Sequence, residues 1–206
     1  MVNARALLAL VLQFAFLGAA FGWRTMVHRR RTGDFGFRWQ RHDRVARVSS
    51  ALFAAAILAS TIGVMLAAFS VTDLWSPFTG TGAVVAGLSL FTAGCTVTLE
   101  AQSAMGASWR IGVDPSERTG LVTNGLFGVA RNPIFTGMVI AAAGLALLVP
   151  TILTATSVSM LVIAVHVQSV VSRSRISVRR CPAGRPTRSE SDDSCPSSGV
   201  WKRTFR

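Results

Sequence analysis

The sequence is poor in the residues that build metal and disulfide sites. It contains three cysteines and three histidines among 206 residues, and none of them forms a CxxC pair or a Cys/His spacing typical of zinc. The cysteines are also dispersed, with Cys95 inside an apolar stretch and Cys181 and Cys195 near the C-terminus. The sequence therefore predicts neither a metal centre nor a disulfide framework.

Acidic residues are scarce as well. Nine Asp and Glu stand against 21 Lys and Arg, which gives a net charge of +12 at pH 7. A nucleic-acid-binding domain would need a basic face with interleaved aromatic residues. Here most of the charge lies in one segment after the first apolar stretch and in the C-terminal tail. We therefore expect anionic membrane lipids, and no nucleic acid, to be the partner of this charge.

Apolar residues, by contrast, are abundant: they make up 50% of the chain, and the mean hydropathy is +0.47. Long apolar stretches cover residues 6–23, 49–70, 80–99 and 134–168. A transmembrane helix needs about 20 residues, so the first three stretches are predicted to be single spans. The fourth is too long for one crossing. Divided at Val149 and Pro150, it gives two members of about 16 residues, or roughly 24 Å each, which predicts a helical hairpin.

The predicted fold is therefore all-α: a polytopic membrane protein of about five transmembrane helices, the last two forming the hairpin. Orientation follows from arginine, because short basic loops stay in the cytoplasm. Residues 24–47 contain eight arginines, whereas residues 71–79 contain Asp73 and no Lys or Arg. This places the N-terminus outside and residues 119–137 at the cytoplasmic face. A cleaved signal peptide at residues 1–22 is the less favoured alternative, because the arginines would then be translocated.

Residues 119–137 form a polar, glycine-containing segment that leads into the fourth apolar stretch. Asn132 followed by Pro133 predicts a helix start, because Asn is a favoured N-cap and Pro a favoured first residue. The helix N-terminus and Arg131 together suit a carboxylate or phosphate. The alternative is a capped helix whose Arg131 reaches lipid headgroups. Gly125 permits a sharp turn close to a ligand, while Gly137 suits either close approach to a ligand or helix packing.

The arrangement of Trp109, then TGLVTNGLF, then VARNPIFTGMVIAAAGLALL resembles the isoprenylcysteine carboxyl methyltransferase and phospholipid methyltransferase superfamily of integral membrane enzymes. The resemblance covers roughly residues 105–168. It implies S-adenosylmethionine bound in a cytoplasm-facing pocket beneath a helical hairpin, methyl transfer to a lipophilic or prenylated acceptor, and a location in the bacterial inner membrane. It assigns the cofactor pocket to six residues: Gly125, Arg131, Asn132, Pro133, Phe135 and Gly137.

Two residues depart from the family pattern inside this segment. Asn132 stands where many members have His, and Phe135 stands where many have Tyr. An imidazole or phenol contact to the cofactor is therefore missing, although Asn132 can still form hydrogen bonds. The implied chemistry is an in-line displacement at a sulfonium, which depends on positioning and exclusion of water more than on acid–base groups.

The chain departs further from the family after Gln168. The family's helix with a Glu-Glu pair and its Val-x-Arg-Phe-x-Pro segment are missing, and residues 169–206 are rich in Arg, Ser, Pro and Gly. With suitable synonymous codons, one alternative frame of residues 172–177 encodes Glu-Glu-Pro-Tyr-Leu, and the same frame of residues 190–196 encodes Val-Gly-Arg-Phe-Val-Pro. We therefore favour a frame change near Ser169. We predict a transmembrane methyltransferase-like domain at 1–168 and a disordered basic tail at 169–206.

Three functional hypotheses follow. The first is a membrane methyltransferase that uses S-adenosylmethionine. The second is a catalytically dead integral membrane protein with a lipid-contacting basic tail, because the lost Glu pair would have offered acceptors to the cofactor. The third, a membrane reductase of similar helical architecture, fits the 119–137 segment less well.

Overall fold

The computed structural model describes residues 2–33, 35, 44–106, 125–130 and 132–180, and these contain helices and turns but no strand. The predicted all-α membrane architecture is confirmed. The helices are α1 (Ala4–Leu17), a π-helical segment (Gly18–Trp23), α2 (Arg24–Thr32), α3 (Arg44–Ala68), α4 (Thr81–Ala104), the short α5 (Leu126–Val129), α6 (Pro133–Leu148) and α7 (Ile152–Arg180), with a 3-10 turn at Ser76–Phe78.

Three helical stretches within the described residues are long and apolar enough to cross a membrane: Ala4–Thr32, Arg47–Ala68 and Thr81–Ala104. They correspond to the first three predicted spans. Two shorter apolar helices, Pro133–Leu148 and Ile152–Gln168, follow as the two members of the predicted hairpin. The division at Val149 and Pro150 therefore occurs where the sequence indicated.

The turn between α6 and α7 is held by its own threonines. Pro150 comes directly after Val149, the C-cap of α6, and cannot continue the helix. Thr151 and Thr154 hydrogen-bond reciprocally: each backbone N–H donates to the hydroxyl of the other, at 3.1 and 3.3 Å. This arrangement has the form of a capping box and starts α7.

Helix α7 continues to Arg180, past the predicted boundary at Gln168. Residues 181–206 lie outside the described residues, so the predicted disorder of the tail stays a prediction.

The continuous stretch from α1 to α2, then α3, α4, α6 and α7, alternate in direction, which gives the bundle two ends. At the first end, named here the Arg5 end, the N–H of Asn3 donates to the carbonyl of Ala68 and that of Trp75 to Pro150, both at 2.9 Å. The opposite end, named here the arginine-rich end, carries the exposed Arg29, Arg30, Arg31, Arg44 and Arg47. The end of α4 and the start of α6 lie at this arginine-rich end.

Arg5 joins three segments at the end named after it. Its guanidinium donates to the carbonyls of Thr79 and Phe78, at 3.0 and 3.1 Å, and to the carbonyl of Leu147 at 2.7 Å. The Leu147 carbonyl belongs to the last turn of α6, where carbonyls have no partner within the helix and the helix dipole favours a cation. Arg5 therefore ties α1 to the α3–α4 connection and to the hairpin.

The core is built largely from small residues, as expected where helices pack closely in lipid. One cluster joins α1, α3, α4 and α6 through Ala6, Ala9, Val64, Ala67, Phe91, Ala141 and Leu145. Aromatic contacts complete it, with the rings of Phe16 and Phe91 meeting edge to face at 6.1 Å. A second cluster joins α3, α6 and α7 around Ala56, Met138 and Leu161. Helices α3 and α6 belong to both clusters.

Candidate functional site

The start of α6 has the geometry that the sequence predicts. Asn132 is the N-cap, and its Oδ1 accepts a long hydrogen bond of 3.4 Å from the N–H of Phe135. The carbonyl of Asn132 accepts the N–H of Thr136 at 3.1 Å. Pro133 occupies the first helical position and is fully buried, whereas Asn132 is exposed. The helix therefore begins with an accessible polar group over a buried proline.

This helix start also offers a positive electrostatic environment. The first N–H groups of a helix have no acceptor within the helix, and the helix dipole adds partial positive charge at the same end. The N–H of Ile134 is in this position. Arg131, which the sequence assigns to the same anion site, lies outside the described residues. Its contribution stays a prediction.

Gly125 precedes the short helix α5 and adopts a conformation that favours glycine, with φ 62° and ψ −130°. It is exposed, and no atom of the described residues other than its chain neighbours lies within 4 Å of the position that a Cβ would take. Helix α5 contacts both α4 and α6, so Gly125 lies at the arginine-rich end near the start of α6. No described residue closes this turn, and a role of Gly125 in shaping a cofactor pocket stays a prediction.

Phe135 packs into the bundle. Its ring lies 6.2 Å from the ring of Phe53 on α3, and Phe53 in turn meets Phe21 of the π-helical segment at 6.5 Å. These three aromatic rings form an apolar layer just inside the arginine-rich end. Phe135 is half-buried in that layer, so its described contacts are apolar packing contacts.

Gly137 faces α4. A Cβ on Gly137 would lie 2.8 Å from both the Gly94 carbonyl oxygen and the Thr98 nitrogen, which leaves no room for a side chain. Gly144 packs against Gly87 in the same way, because a Cβ on Gly144 would lie 2.7 Å from the carbonyl oxygen of Gly87. Of the two roles that the sequence leaves open for Gly137, helix packing is the one that the described contacts support. A cofactor contact by Gly137 stays a prediction.

Two buried polar side chains near this end were missed in the sequence. Gln102 of α4 is 2% exposed and donates to the carbonyl of Ala20, at 3.1 Å, within the π-helical segment. Arg24 is 8% exposed and donates to the carbonyl of Gly106 at 2.9 Å. The sequence feature that could have predicted these contacts is a polar residue within an apolar span, because such residues usually face the bundle interior. Single π-helical turns are also frequent at functional sites.

The described residues fit one half of a site for a cofactor with an anionic group. The capped start of α6 and the open turn at Gly125 supply donors and space. Acceptors are fewer, because the described acidic residues are Asp73 and Glu100, of which Asp73 lies at the Arg5 end and Glu100 is exposed on α4. No group of three metal-binding side chains occurs within the described residues.

Comparison with known families locates a match in the same part of the chain. Residues 83–173 match the family model described as Phospholipid methyltransferase, which belongs to the isoprenylcysteine/phospholipid methyltransferase superfamily. The match begins in α4, includes α6 and ends at Arg173 in α7, so the resemblance predicted from the sequence is confirmed. Helices α1 to α3 lie outside it. No curated protein and no solved structure matches the chain.

Proposed function

We take as premise that residues 83–173 carry the phospholipid methyltransferase sequence pattern, and we propose that the chain is a membrane methyltransferase that binds S-adenosylmethionine at the start of α6. The observation that carries the proposal is the pairing of a capped helix start at Asn132 and Pro133 with the open turn at Gly125. Both lie at the arginine-rich end of the bundle. We expect this end to face the cytoplasm, because arginine-rich loops are retained there.

The residues of this site would bind and orient the cofactor. S-adenosylmethionine supplies a methyl group on a sulfonium together with a carboxylate that suits a helix N-terminus. The N–H of Ile134 and the side chain of Arg131 would hold that carboxylate. Asn132 would cap the helix and keep its free N–H groups directed outward. Binding at this position would orient the methyl group, and a displacement of this type depends on such positioning more than on acid–base groups.

The aromatic layer would exclude water from the reacting groups. Phe135, Phe53 and Phe21 lie just below the helix start and offer no hydrogen bonds. A dry wall strengthens the electrostatic contacts above it and favours an apolar acceptor. The acceptor would be lipophilic and would reach the site from the membrane, with the exposed arginines of α2 and α3 contacting lipid phosphates.

A binding measurement with matched arginine variants tests this function. The full chain in lipid nanodiscs is titrated with S-adenosylmethionine by calorimetry, alongside Arg131→Ala and the control Arg29→Ala. We expect Arg131→Ala to weaken binding at least tenfold, since it removes a charge-assisted contact, and Arg29→Ala to leave it unchanged. Equal loss in both variants, or the absence of binding by the chain in either frame, would contradict the proposal.

A second function is favoured by one specific observation. The family match ends at Arg173, and the sequence after Gln168 lacks the Glu-Glu pair that other members carry. We therefore propose, as the alternative, an inactive membrane protein that keeps the helical scaffold and half of the cofactor site. No binding by the present chain, together with binding by a chain whose Glu pair is restored, would establish this alternative.

A further inference from the structure

The bundle contains a cavity of about 60 Å³ that does not include the start of α6 and is partly open to its surroundings. It lies between α1, α3, α4, α6 and α7, and its walls are mostly apolar. A water molecule needs at least about 10 to 15 Å³ of such space, so the cavity has room for roughly four or five non-hydrogen atoms. It extends along α6 from Met138 to Leu145, with Phe21 and Phe53 toward the arginine-rich end.

The end of the cavity away from these aromatic rings is polar. Gln13, Ser60 and Ser157 line it from three different helices. Gln13 is 5% exposed, and its Nε2 donates to the hydroxyl of Thr61 at 3.0 Å. That hydroxyl already donates to the carbonyl of Ile57 at 2.8 Å, which fixes the orientation of the Gln13 amide. The Oε1 of Gln13 is buried and has no hydrogen-bond partner among the residues that the structure describes.

An unpaired buried acceptor is costly, and the missing partner must be a donor. Water would satisfy Oε1 but would fill an apolar space with a polar molecule. A hydrocarbon chain would fill the space but would leave Oε1 unpaired. A short apolar group that ends in a hydroxyl satisfies both requirements.

We infer that this cavity binds the hydroxyl-bearing end of a short apolar chain, of four or five non-hydrogen atoms, with the hydroxyl donating to Gln13. Gln13 thus determines the specificity of the cavity. The polar end of the cavity lies away from the proposed cofactor site, although Phe21 and Phe53 belong both to the cavity wall and to the aromatic layer of that site.

Two probes of equal size test the role of the hydroxyl: 3-fluoro-1-propanol and 1-fluorobutane, which each have five non-hydrogen atoms. Binding to the full chain in lipid nanodiscs is measured by ¹⁹F NMR line broadening. We expect the alcohol to bind about tenfold more tightly than the alkane, since one buried hydrogen bond separates them. In Gln13→Leu this preference should disappear, because the acceptor is gone.

A cavity-filling variant shows that the probes bind inside the bundle. Ala56 is 2% exposed and lines the cavity, so Ala56→Leu should abolish binding of both probes. Val11→Leu, on the exposed face of α1, is the control and should change nothing. Ala142→Leu, also at the cavity, replaces Ala56→Leu if that variant does not fold.

Several results would overturn this inference. The first is a signal that survives Ala56→Leu and Ala142→Leu, which would mean that the probes dissolve in the lipid. The second is a preference for the alcohol that survives Gln13→Leu. The third is a wild-type chain that binds neither probe, which would mean that the cavity holds only water. These measurements use no S-adenosylmethionine, so their failure is distinguishable from failure of the methyltransferase function.

Discussion

The two faces of α6 differ in how they are packed. One face carries Gly137, Ala141 and Gly144, which meet the backbone of α4 closely, with the Thr98 hydroxyl beside Gly137. The other face carries Met138 and Leu145, which leave a cavity toward α1, α3 and α7. Close backbone contact fixes the position of α6, and therefore of its N-terminus at Asn132, while the opposite face retains space for a ligand. One helix thus has a face that is closely packed against α4 and a face that lines a cavity.

The largest expected effect comes from filling the tight face. A Cβ on Gly94 would lie 2.5 Å from the Gly137 carbonyl oxygen and 2.8 Å from the Cα of Ala141, and backbone atoms cannot move aside cheaply. We expect Gly94→Leu to lower the free energy of unfolding by at least about 3 kcal/mol, or to prevent folding. Unfolding of the purified protein in mixed micelles, followed by circular dichroism, measures this.

Gly82→Leu is the matched control, because Gly82 lies in the same helix with nothing within 4 Å of its Cβ position. We expect it to change the free energy of unfolding by less than about 0.5 kcal/mol. If both variants lost the same free energy of unfolding relative to the unchanged protein, the loss would come from introducing leucine into α4. The backbone contact at Gly94 would then not be its cause.

The next effect concerns how α6 is held at its other end. Arg5→Ala removes three hydrogen bonds to carbonyls, among them that of Leu147. We expect a loss of about 1 to 3 kcal/mol in the free energy of unfolding, because hydrogen bonds from charged donors are stronger than neutral ones. Arg30→Ala, at an exposed site in the arginine-rich end, is the control. Equal stability of the two variants would show that Arg5 contributes only as a surface charge.

The smallest stability effect is expected at the helix start, where two variants of Asn132 separate capping from binding. Asn132→Ala removes the N-cap and should cost about 1 kcal/mol. Asn132→Asp keeps a capping oxygen and should preserve stability, yet its negative charge should weaken the binding of an anionic group. Thermal unfolding and S-adenosylmethionine titration of both variants measure the two effects. Unchanged cofactor binding in Asn132→Asp would place the carboxylate of the cofactor elsewhere.

The sequence predicted the fold because its signals are local. Apolar stretch lengths determined the spans, Pro150 located the hairpin turn, and Asn132 with Pro133 located the start of α6. Gly137 was recognised as a residue that allows close approach, but Gly94, which it contacts, and Gly87, which contacts Gly144, were not recognised. They lie in the apolar helix α4, and their role in close packing becomes visible only when α6 lies against that helix.

The cavity and the Arg5 contacts could not be predicted because they depend on several helices at once. No single helix encodes an empty volume, and Gln13 indicates only that one polar group lies in an apolar span. The carbonyls that Arg5 binds belong to distant segments that are joined by tertiary packing alone. The assignment of six residues to a cofactor pocket stays a prediction, and what the structure confirms there is local: the helix start at Asn132 and Pro133.

The central claim is that half of a methyltransferase cofactor site is intact while the acidic half was lost after Gln168. It is tested most directly by titrating S-adenosylmethionine into two chains that differ only after Gln168: the present chain, and one translated in the alternative frame that restores the Glu-Glu pair. The account predicts that the restored chain binds at least tenfold more tightly. Equal affinities, or tighter binding by the present chain, would contradict it.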